Sequence, residues 1–295
     1  MGLIRFNFFG DNTVNTFFSE LDPRGLSGSL WKGFNPPEGG IFGLTPSGNP
    51  AFGIFDDFLM KASTTLYDGY FTLGTGTGSV TRIASDYNPS TAATLATTGL
   101  GIVQLLATAD NDEAVMAFGN ALDAPFHLGR GRDLAFECRL NSENVAADDF
   151  CLFVGLAELG AQATVKINDA NQDLVNEFDL LGFQHLMTDS TAINGLYQVG
   201  GQTAGTSVTN TGLAALHTLV ADTNVKLGFR YNASTGTLHF FVNGVEDTGA
   251  RLRIRNLTAG TFPDDNFMTP MIMLGTDQAN DSIVNLDWWA CAQML

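Results

Sequence analysis

Residues 225–244 read VKLGFRYNASTGTLHFFVNG, and they contain two segments in which apolar and polar residues alternate. A connection that includes Gly236 separates the two segments, and this arrangement is typical of an antiparallel hairpin. One face of each segment is apolar, because successive strand residues point to opposite sides. The residues on the two apolar faces are Leu227, Phe229, Tyr231, Leu238, Phe240 and Val242. Asn243 and Gly244 follow, and residues of these two types readily adopt the positive φ angles of a tight turn that leads into a further strand.

This hairpin resembles one found in concanavalin A-like, or laminin G-like, jelly rolls. There a strand of the form L-x-F-x-Y is followed by G-x-L-x-F-[FY]-V-N-G. The segment 282–289, SIVNLDWW, is similar to the last strand of that fold, which commonly ends in an Asp–aromatic pair. The resemblance implies an all-β protein built on an antiparallel jelly-roll β-sandwich. Lectins, hydrolases and capsid proteins all use this architecture, so it does not by itself define a function.

Short apolar or alternating runs recur between turn signals from residue 56 onward, as expected of a sandwich. The alternation is clearest at 134–140, where the apolar residues face one way and Glu137 and Arg139 face the other. This pattern predicts a half-buried antiparallel strand. The segments with weak helical signals are 168–178 and 211–220. Neither is long enough for a parallel βαβ fold, so we predict one jelly-roll domain over residues 56–295.

The first 55 residues differ from the rest, because they are rich in Phe spaced by Gly, Pro and Asn. The stretches PPEGG at 36–40 and TPSGNP at 45–50 interrupt regular structure. We predict that residues 1–55 form an extended, irregular arm that packs on its own domain or on a neighbouring subunit. An irregular lid on the same chain is an equally good interpretation. The residues predicted to contact a partner are Phe8, Phe9, Phe17, Phe18, Trp31 and Phe34.

The chain is strongly acidic, with 31 Asp and Glu against 14 Lys and Arg and a net charge of −17. Such a surface repels phosphate backbones and anionic lipid, so we expect neither a nucleic acid partner nor docking on a membrane. It is compatible with solubility at high local concentration or with docking onto a basic partner. Charged residues make up 15% of the chain, below the roughly 25% of ordinary domains.

The three cysteines, Cys138, Cys151 and Cys291, are too few and too irregular for a disulfide framework. Two of them lie in apolar runs, where free thiols act as small core residues, and a reducing compartment is expected. The N-terminal sequence lacks the apolar centre of a secretory signal. No run of about 18 apolar residues predicts a transmembrane helix.

The sequence carries few of the motifs that catalytic or metal-binding sites use. Glycoside hydrolases on this fold use a Glu-x-Asp-x-x-Glu string, which the chain lacks, and Glu137 is alone on its strand. The four histidines lack metal-binding spacing, and residues 169–180 lack the Gly and Glu of a calcium loop. Carboxylates at 110–113 and 264–265 are better interpreted as solvated turn acids than as a looser Ca²⁺ site. We predict no catalytic residues, no cofactor, no metal site and no enzymatic activity, although a carboxylate pair assembled from distant strands would revive hydrolysis.

Trp288 and Trp289 are adjacent on a predicted strand, so one should enter the core and the other should not. The outward ring has three possible roles: stacking on a sugar, packing against another subunit, or packing under the N-terminal arm. We therefore name both residues as possible glycan or subunit contacts.

The chain as a whole is similar to jelly-roll virion proteins of tailed bacteriophages. The points of likeness are the missing secretory signal, the acidic Gly/Thr/Asn-rich composition, the aromatic arm and the entry sequence FDDFL at 55–59. This resemblance implies a capsid decoration or cement protein that binds the major capsid protein or other virion proteins. It also implies assembly in the host cytoplasm and a homo-oligomer, with a trimer preferred. The alternatives are a lectin-like receptor-binding domain of a phage fibre or spike, and a glycoside hydrolase.

Overall fold

Two antiparallel sheets face each other across an apolar core in a computed structural model of the protein. The residues that the structure describes are 26–31, 42–44, 50–56, 71–73, 79–83, 102–107, 112–118, 124–145, 150–161, 167–168, 173–174, 178–187, 191–200, 213, 215–253, 262–276 and 282–294. Within these ranges the regular structure is strand, apart from one 3-10 turn at Leu128–Arg130. None of the described residues belongs to a helix that is long and apolar enough to cross a bilayer.

Sheet A contains nine strands. Seven of them form one continuous row, in the spatial order β1 (Phe42–Leu44), β2 (Pro50–Asp56), β18 (Ser282–Met294), β7 (Leu134–Ser142), β14 (Val225–Asn232), β15 (Thr237–Val242) and β16 (Val245–Arg253). The long strand β18 pairs with β2 along its second half and with β5 (Ile102–Ala107) along its first half. β5 also pairs with β4 (Ser79–Ile83), which completes the sheet.

Sheet B contains seven strands. Their spatial order is β13 (His217–Thr218), β12 (Ala192–Gln198), β11 (Leu180–His185), β8 (Cys151–Glu158), β17 (Met268–Thr276), β6 (Asp112–Phe118) and β3 (Phe71–Leu73). A separate pair is formed by β9 (Ile167–Asn168) and β10 (Asp173–Leu174). The segments with weak helical signals therefore contribute short paired strands, β9, β10 and β13, within the described residues.

The predicted hairpin is β14 and β15, with Phe229 opposite Phe240. The apolar faces of both strands point into the core, where Phe229 stacks on Phe136 with ring centroids 5.3 Å apart. From sheet B, Phe183 meets Phe240 edge to face at 5.4 Å. Each fully buried ring contributes about 1.5–3 kcal/mol relative to an exposed one, so these contacts hold the two sheets together. The predicted jelly-roll β-sandwich is confirmed.

β1 and all of β2 except its last residue, Asp56, lie within residues 1–55, which are predicted to form an irregular arm. β2 pairs with β18 from Ala51 to Asp56, and the side chain of Ile54 is buried. Pro50 is compatible with this strand because it is the first residue, where a missing N–H is tolerated. Sheet A therefore begins before the predicted boundary at residue 56.

Part of the outer face of each sheet is apolar and buried as well. On sheet B the buried outer residues are Val115, Ala117, Cys151, Phe153, Ala157, Leu180, Leu196, Met271 and Met273. On sheet A the outer residues pack against the segment 26–31, and they are Ala135, Phe241, Trp288, Ala290 and Ala292. All three cysteines are buried free thiols. Polar chemistry among the described residues is therefore concentrated at a few defined places.

Candidate functional sites

A buried carboxylate holds the segment 26–31 on the outer face of sheet A. The segment forms a turn in which the Trp31 N–H donates to the Ser27 carbonyl at 3.1 Å. Glu137 lies beneath it on β7 and accepts three hydrogen bonds. The Ser27 N–H donates to Glu137 Oε2 at 2.9 Å, the Ser27 hydroxyl donates to Oε1, and Trp31 Nε1 donates to Oε2 at 2.8 Å. We call this arrangement the Glu137 clamp.

The clamp is buried and contains two ionisable side chains, and the net effect of its surroundings is to raise the pKa of Glu137. Glu137 is 1% exposed, and Lys226 on the neighbouring strand β14 is 5% exposed. Burial raises the pKa of Glu137, whereas the hydrogen bonds from Ser27 and Trp31 and the charge of Lys226 act in the opposite direction. A buried carboxylate with three donors and a nearby ammonium is strongly held in place, because losing any partner leaves a desolvated polar group behind.

Two glycines let the segment lie directly against the sheet. A Cβ on Gly228 would come within 2.2 Å of Leu30 Cδ1, and one on Gly244 would come within 2.8 Å of Ser27 Oγ. The Ser29 hydroxyl also donates to the Gly244 carbonyl at 2.5 Å. Gly244 has a φ of +79°, so the predicted tight turn after β15 also forms part of this groove. We call the surface formed by Glu137, Lys226, Gly228 and Gly244 the sheet A groove.

The other half of the outer face of sheet A carries a row of amide side chains. Gln104 Nε2 donates to Asn285 Oδ1 at 3.2 Å, and Asn285 Nδ2 donates to Asn141 Oδ1 at 3.0 Å. Asn141 Nδ2 then donates to Asn224 Oδ1 at 3.2 Å. Asn141 and Asn285 are nearly fully buried. The row therefore ties three strands and a loop together as a structural network, with its polar atoms already paired to one another.

A second carboxylate site lies at one end of sheet B, which we call the rim. The Asp179 N–H donates to Glu158 Oε2 at 2.8 Å, and the Gly200 N–H donates to Asp179 Oδ1 at 2.6 Å. Asn266 Nδ2 bridges the two carboxyls, at 3.1 Å from Asp179 Oδ2 and 3.4 Å from Glu158 Oε2. The rim therefore joins the end of β8, the start of β11 and the loop before β17 through two acids and one amide.

Exposed apolar side chains stand beside this polar cluster. Phe267 is 45% exposed and Leu159 is 37% exposed, and the Leu159 N–H donates to the Phe267 carbonyl at 3.2 Å. The ring of Phe267 also meets the ring of His127 edge-on, with centroids 4.8 Å apart. An accessible aromatic ring next to carboxylate and amide oxygens is a combination that suits a ligand with both apolar and hydroxyl groups.

The rim should make stability depend on pH. Burial raises the pKa of Asp179 from 3.8 to about 6, and the negative charges of Asp265 and Glu158 raise it further. The hydrogen bonds from Gly200 and Asn266 act in the opposite direction but do not outweigh burial. A carboxyl with a raised pKa in the folded chain stabilises it below the unfolded value, and this contribution is lost as the pH rises through about 6. Asp179→Asn should therefore raise the Tm relative to the wild type more at pH 7.5 than at pH 4.

Glu246 on β16 offers a control of opposite sign. Burial alone would raise the pKa of Glu246, but the hydrogen bonds and charges of His239 and Arg251 outweigh it and lower the pKa. Its stabilising contribution is therefore present at neutral pH and lost as the pH falls. Glu246→Gln should cost more stability at pH 5.5 than at pH 2.5, measured by thermal unfolding in one buffer series together with Asp179→Asn. A Tm difference for Asp179→Asn that does not change with pH would contradict the assignment.

The structure places three of the predicted contact residues. Trp31 is buried in the segment 26–31, Trp288 lies beneath that segment on the outer face of sheet A, and Trp289 is in the core. The two adjacent tryptophans therefore point to opposite faces, next to a register irregularity at Leu286–Trp288. Phe8, Phe9, Phe17, Phe18 and Phe34 lie outside the described residues. Partner contact by this set stays a prediction.

Sequence reasoning noted part of the rim and missed the rest. It singled out 264–265, and Asp265 adds charge near Asp179, but Glu158, Asp179 and Asn266 are far apart in the chain and carry no local motif. Within the described ranges no group of three or more His, Cys, Asp or Glu residues is arranged to hold a metal ion.

Comparisons with known proteins identify the class of fold. No protein-family model matches the chain, and no curated protein matches it. Among solved structures, it is similar to an endo-1,3-beta-glucanase from Streptomyces sioyaensis, with 13% identity, a TM-score of 0.53, and coverage of 82% of this chain and 95% of that one. It is also similar to the potassium-bound carbohydrate recognition domain of Emp46p, with 10% identity, a TM-score of 0.51, and coverage of 80% and 94%. An endo-beta-1,4-glucuronan lyase from Trichoderma reesei matches with 10% identity, a TM-score of 0.50, and coverage of 81% and 94%.

These likenesses show the fold, a concanavalin A-like jelly roll. They also correct the prediction that the chain is not an enzyme. That prediction depended on the missing Glu-x-Asp-x-x-Glu string, yet a glucanase and a lyase share this architecture. Since the rim brings Glu158 and Asp179 together from separate strands, the absence of a local string does not exclude a carboxylate pair.

Proposed function

We propose that this chain is a structural protein of a bacteriophage particle, a decoration protein that docks on the head surface through its aromatic N-terminal sequence. The observation that carries the proposal is the Glu137 clamp, which fixes residues 26–31 on sheet A. The clamp attaches the chain to sheet A directly after the sequence that contains Phe8, Phe9, Phe17 and Phe18, the residues predicted to contact a partner. A docking sequence gains affinity when its point of attachment is rigid.

Two further features support a role in assembly. Apolar residues on the outer faces of both sheets are buried, so the sandwich acts as a rigid body. The net charge of −17 suits a basic partner surface and keeps the free protein soluble at high concentration. A protein that binds the assembled shell more tightly than free shell subunits stabilises the shell by mass action.

The test is a full-length variant in which Phe8, Phe9, Phe17 and Phe18 are all replaced by Ser. Because the aromatic rings supply the apolar contact area, occupancy on purified heads should fall about tenfold or more, which corresponds to losing about 1.4 kcal/mol of binding free energy. Occupancy is measured by sedimenting heads with labelled protein and quantifying the bound fraction.

The matched control is Val220→Ser, which removes an exposed apolar side chain (56% exposed) from the body of the domain. This variant should bind heads as the wild type does. Wild-type occupancy by the quadruple variant, or absence of binding by the wild type itself, would refute the proposal.

A second candidate function, glycan recognition or cleavage, is favoured by the rim. Phe267 offers an exposed ring, and Glu158 and Asn266 offer oxygens and an amide beside it, while the buried Asp179 holds Asn266 in place. The fold neighbours include a carbohydrate recognition domain and a glucanase, which is compatible with this candidate.

A glycan array and a reducing-sugar assay on soluble polysaccharides test the second candidate. Any hit should be lost in Phe267→Ala, since stacking on an aromatic ring contributes most of the apolar contact with a sugar. Val245→Ala, at a site that is 71% exposed on β16, serves as the control and should leave the hit unchanged. Absence of binding and of product release for the wild type would exclude this candidate and leave the first.

A further inference from the structure

The segment 26–31 docks on the domain as a separate piece. Its backbone–backbone hydrogen bond among the described residues runs from the Trp31 N–H to the Ser27 carbonyl and closes the segment's own turn. Its attachment to sheet A runs instead through the side chains of Ser27, Ser29 and Trp31 and through close contact of Leu30 with Gly228. The segment is therefore recognised in the same way that a bound peptide is recognised by a groove.

The groove is built wholly by other parts of the chain. Glu137 comes from β7, Lys226 and Gly228 come from β14, and Gly244 comes from the turn after β15. Ser27 and Glu137 are 110 positions apart in the sequence. Residues 32–41 separate the segment from β1, and ten residues can span roughly 33–36 Å when extended. The contacts themselves do not require that the segment and the groove belong to the same copy.

An empty groove is unfavourable. If the segment left, Glu137 would lose three donors while it remains beside Lys226 and Trp288 on an apolar face. Replacement by an identical segment restores every hydrogen bond at no cost in contact energy. Exchange of identical elements between copies is for this reason a low-cost route to an oligomer.

We infer that the sheet A groove is a recognition site for the sequence LSGSLW at 26–31, and that it accepts this segment from a second copy of the chain. The exchanged segment links two copies while each groove stays filled. Glu137 selects Ser27 and Trp31 through their donors, and Gly228 admits Leu30. The second copy is therefore one partner of the segment 26–31, which the proposed function uses to attach the N-terminal sequence to sheet A. The inference depends on the clamp and is tested without phage heads, so its failure and that of the proposed function are distinguishable.

The test uses two full-length variants that each add one cysteine, Ser29→Cys and Val245→Cys. Ser29 contacts Gly244, and Val245 is the next residue and is 71% exposed, so the new thiols meet when the segment fills a groove. The three native cysteines are buried and do not react with a short bis-maleimide in the folded protein. The variants carry tags of different size and are mixed at high concentration and high salt, which screens the repulsion between chains of net charge −17.

Exchange predicts a cross-linked heterodimer in the mixture. A third substitution, Gly228→Ala, distinguishes groove occupancy from chance contact, because its Cβ would overlap Leu30 Cδ1 at 2.2 Å. Placed in the Val245→Cys chain, it should lower the heterodimer yield about tenfold or more. Placed in the Ser29→Cys chain, it should not lower the yield, since it blocks only that chain's own groove and leaves its segment free to be donated. Absence of the heterodimer would overturn the inference, as would a yield that is the same wherever Gly228→Ala is placed.

Discussion

Replacing Glu137 by Ala should destabilise the protein by about 3–5 kcal/mol, the cost typical of removing one partner from a buried, charged network. The substitution removes the carboxylate to which the Ser27 N–H and the Trp31 indole N–H donate. For a chain of this size the loss corresponds to a fall in Tm of about 5–8 °C. Chemical denaturation of the purified variant gives the free energy of unfolding.

Two variants control this result. Glu137→Gln keeps one acceptor oxygen but turns an amide N–H₂ toward the donors, so its loss should fall between the wild type and Glu137→Ala. Glu246→Ala removes a carboxylate from the partly exposed face of β16, where an ion pair contributes at most about 1 kcal/mol. A Glu137→Ala variant no less stable than Glu246→Ala would mean that the segment 26–31 is not clamped.

Gly182→Ala should also be severely destabilising, by about 3 kcal/mol or more, at the upper end of the range for overpacked cores. Gly182 on β11 lies directly opposite Gly155 on β8. A Cβ at Gly182 would come within 2.3 Å of the Val154 carbonyl oxygen and 2.7 Å of Gly155 Cα, both of which are backbone atoms that no rotamer change can move. The two strands would have to separate.

This separation would also disturb the rim, because the Glu158 N–H donates to the Asp179 carbonyl at 2.9 Å just beyond the same strand pair. Gly249→Ala is the matched control, since its Cβ would meet only a flexible carboxylate, Asp247 Oδ1, at 3.2 Å on the edge strand. Equilibrium unfolding should show a change within about 0.5 kcal/mol for the control. Equal stability of the two variants would show that β8 and β11 are not paired in this register.

Local patterns were sufficient to predict the strands with strict alternation. The hairpin of β14 and β15 and the split between Trp288 and Trp289 follow from a two-residue period, because one face of each strand enters the core. β16, the strand expected after the Asn243–Gly244 turn, alternates only at its end, where Ala250 and Leu252 are buried and Arg251 and Arg253 are exposed. Its first half carries no alternation, although it pairs with β15 as an edge strand.

Long-range contacts account for what the sequence could not predict. Glu137 was correctly placed on the outward face of its strand, but its burial depends on a segment 110 positions away. The rim likewise joins residues 158, 179 and 266, which come together only when β8, β11 and β17 are adjacent. A single sequence records which residues can donate or accept, and the sheet order decides which of them meet.

Exchange of the Trp31 indole proton with solvent tests the central claim most directly. The chain has three tryptophans, so an amide correlation spectrum of the ¹⁵N-labelled protein contains three indole signals, and Trp→Phe variants assign them. We expect the Trp31 indole N–H, which donates to Glu137 Oε2 at 2.8 Å, to exchange slowly in the wild type and rapidly in Glu137→Ala. Rapid exchange of Trp31 in the wild type, while the core residue Trp289 stays protected, would contradict the account.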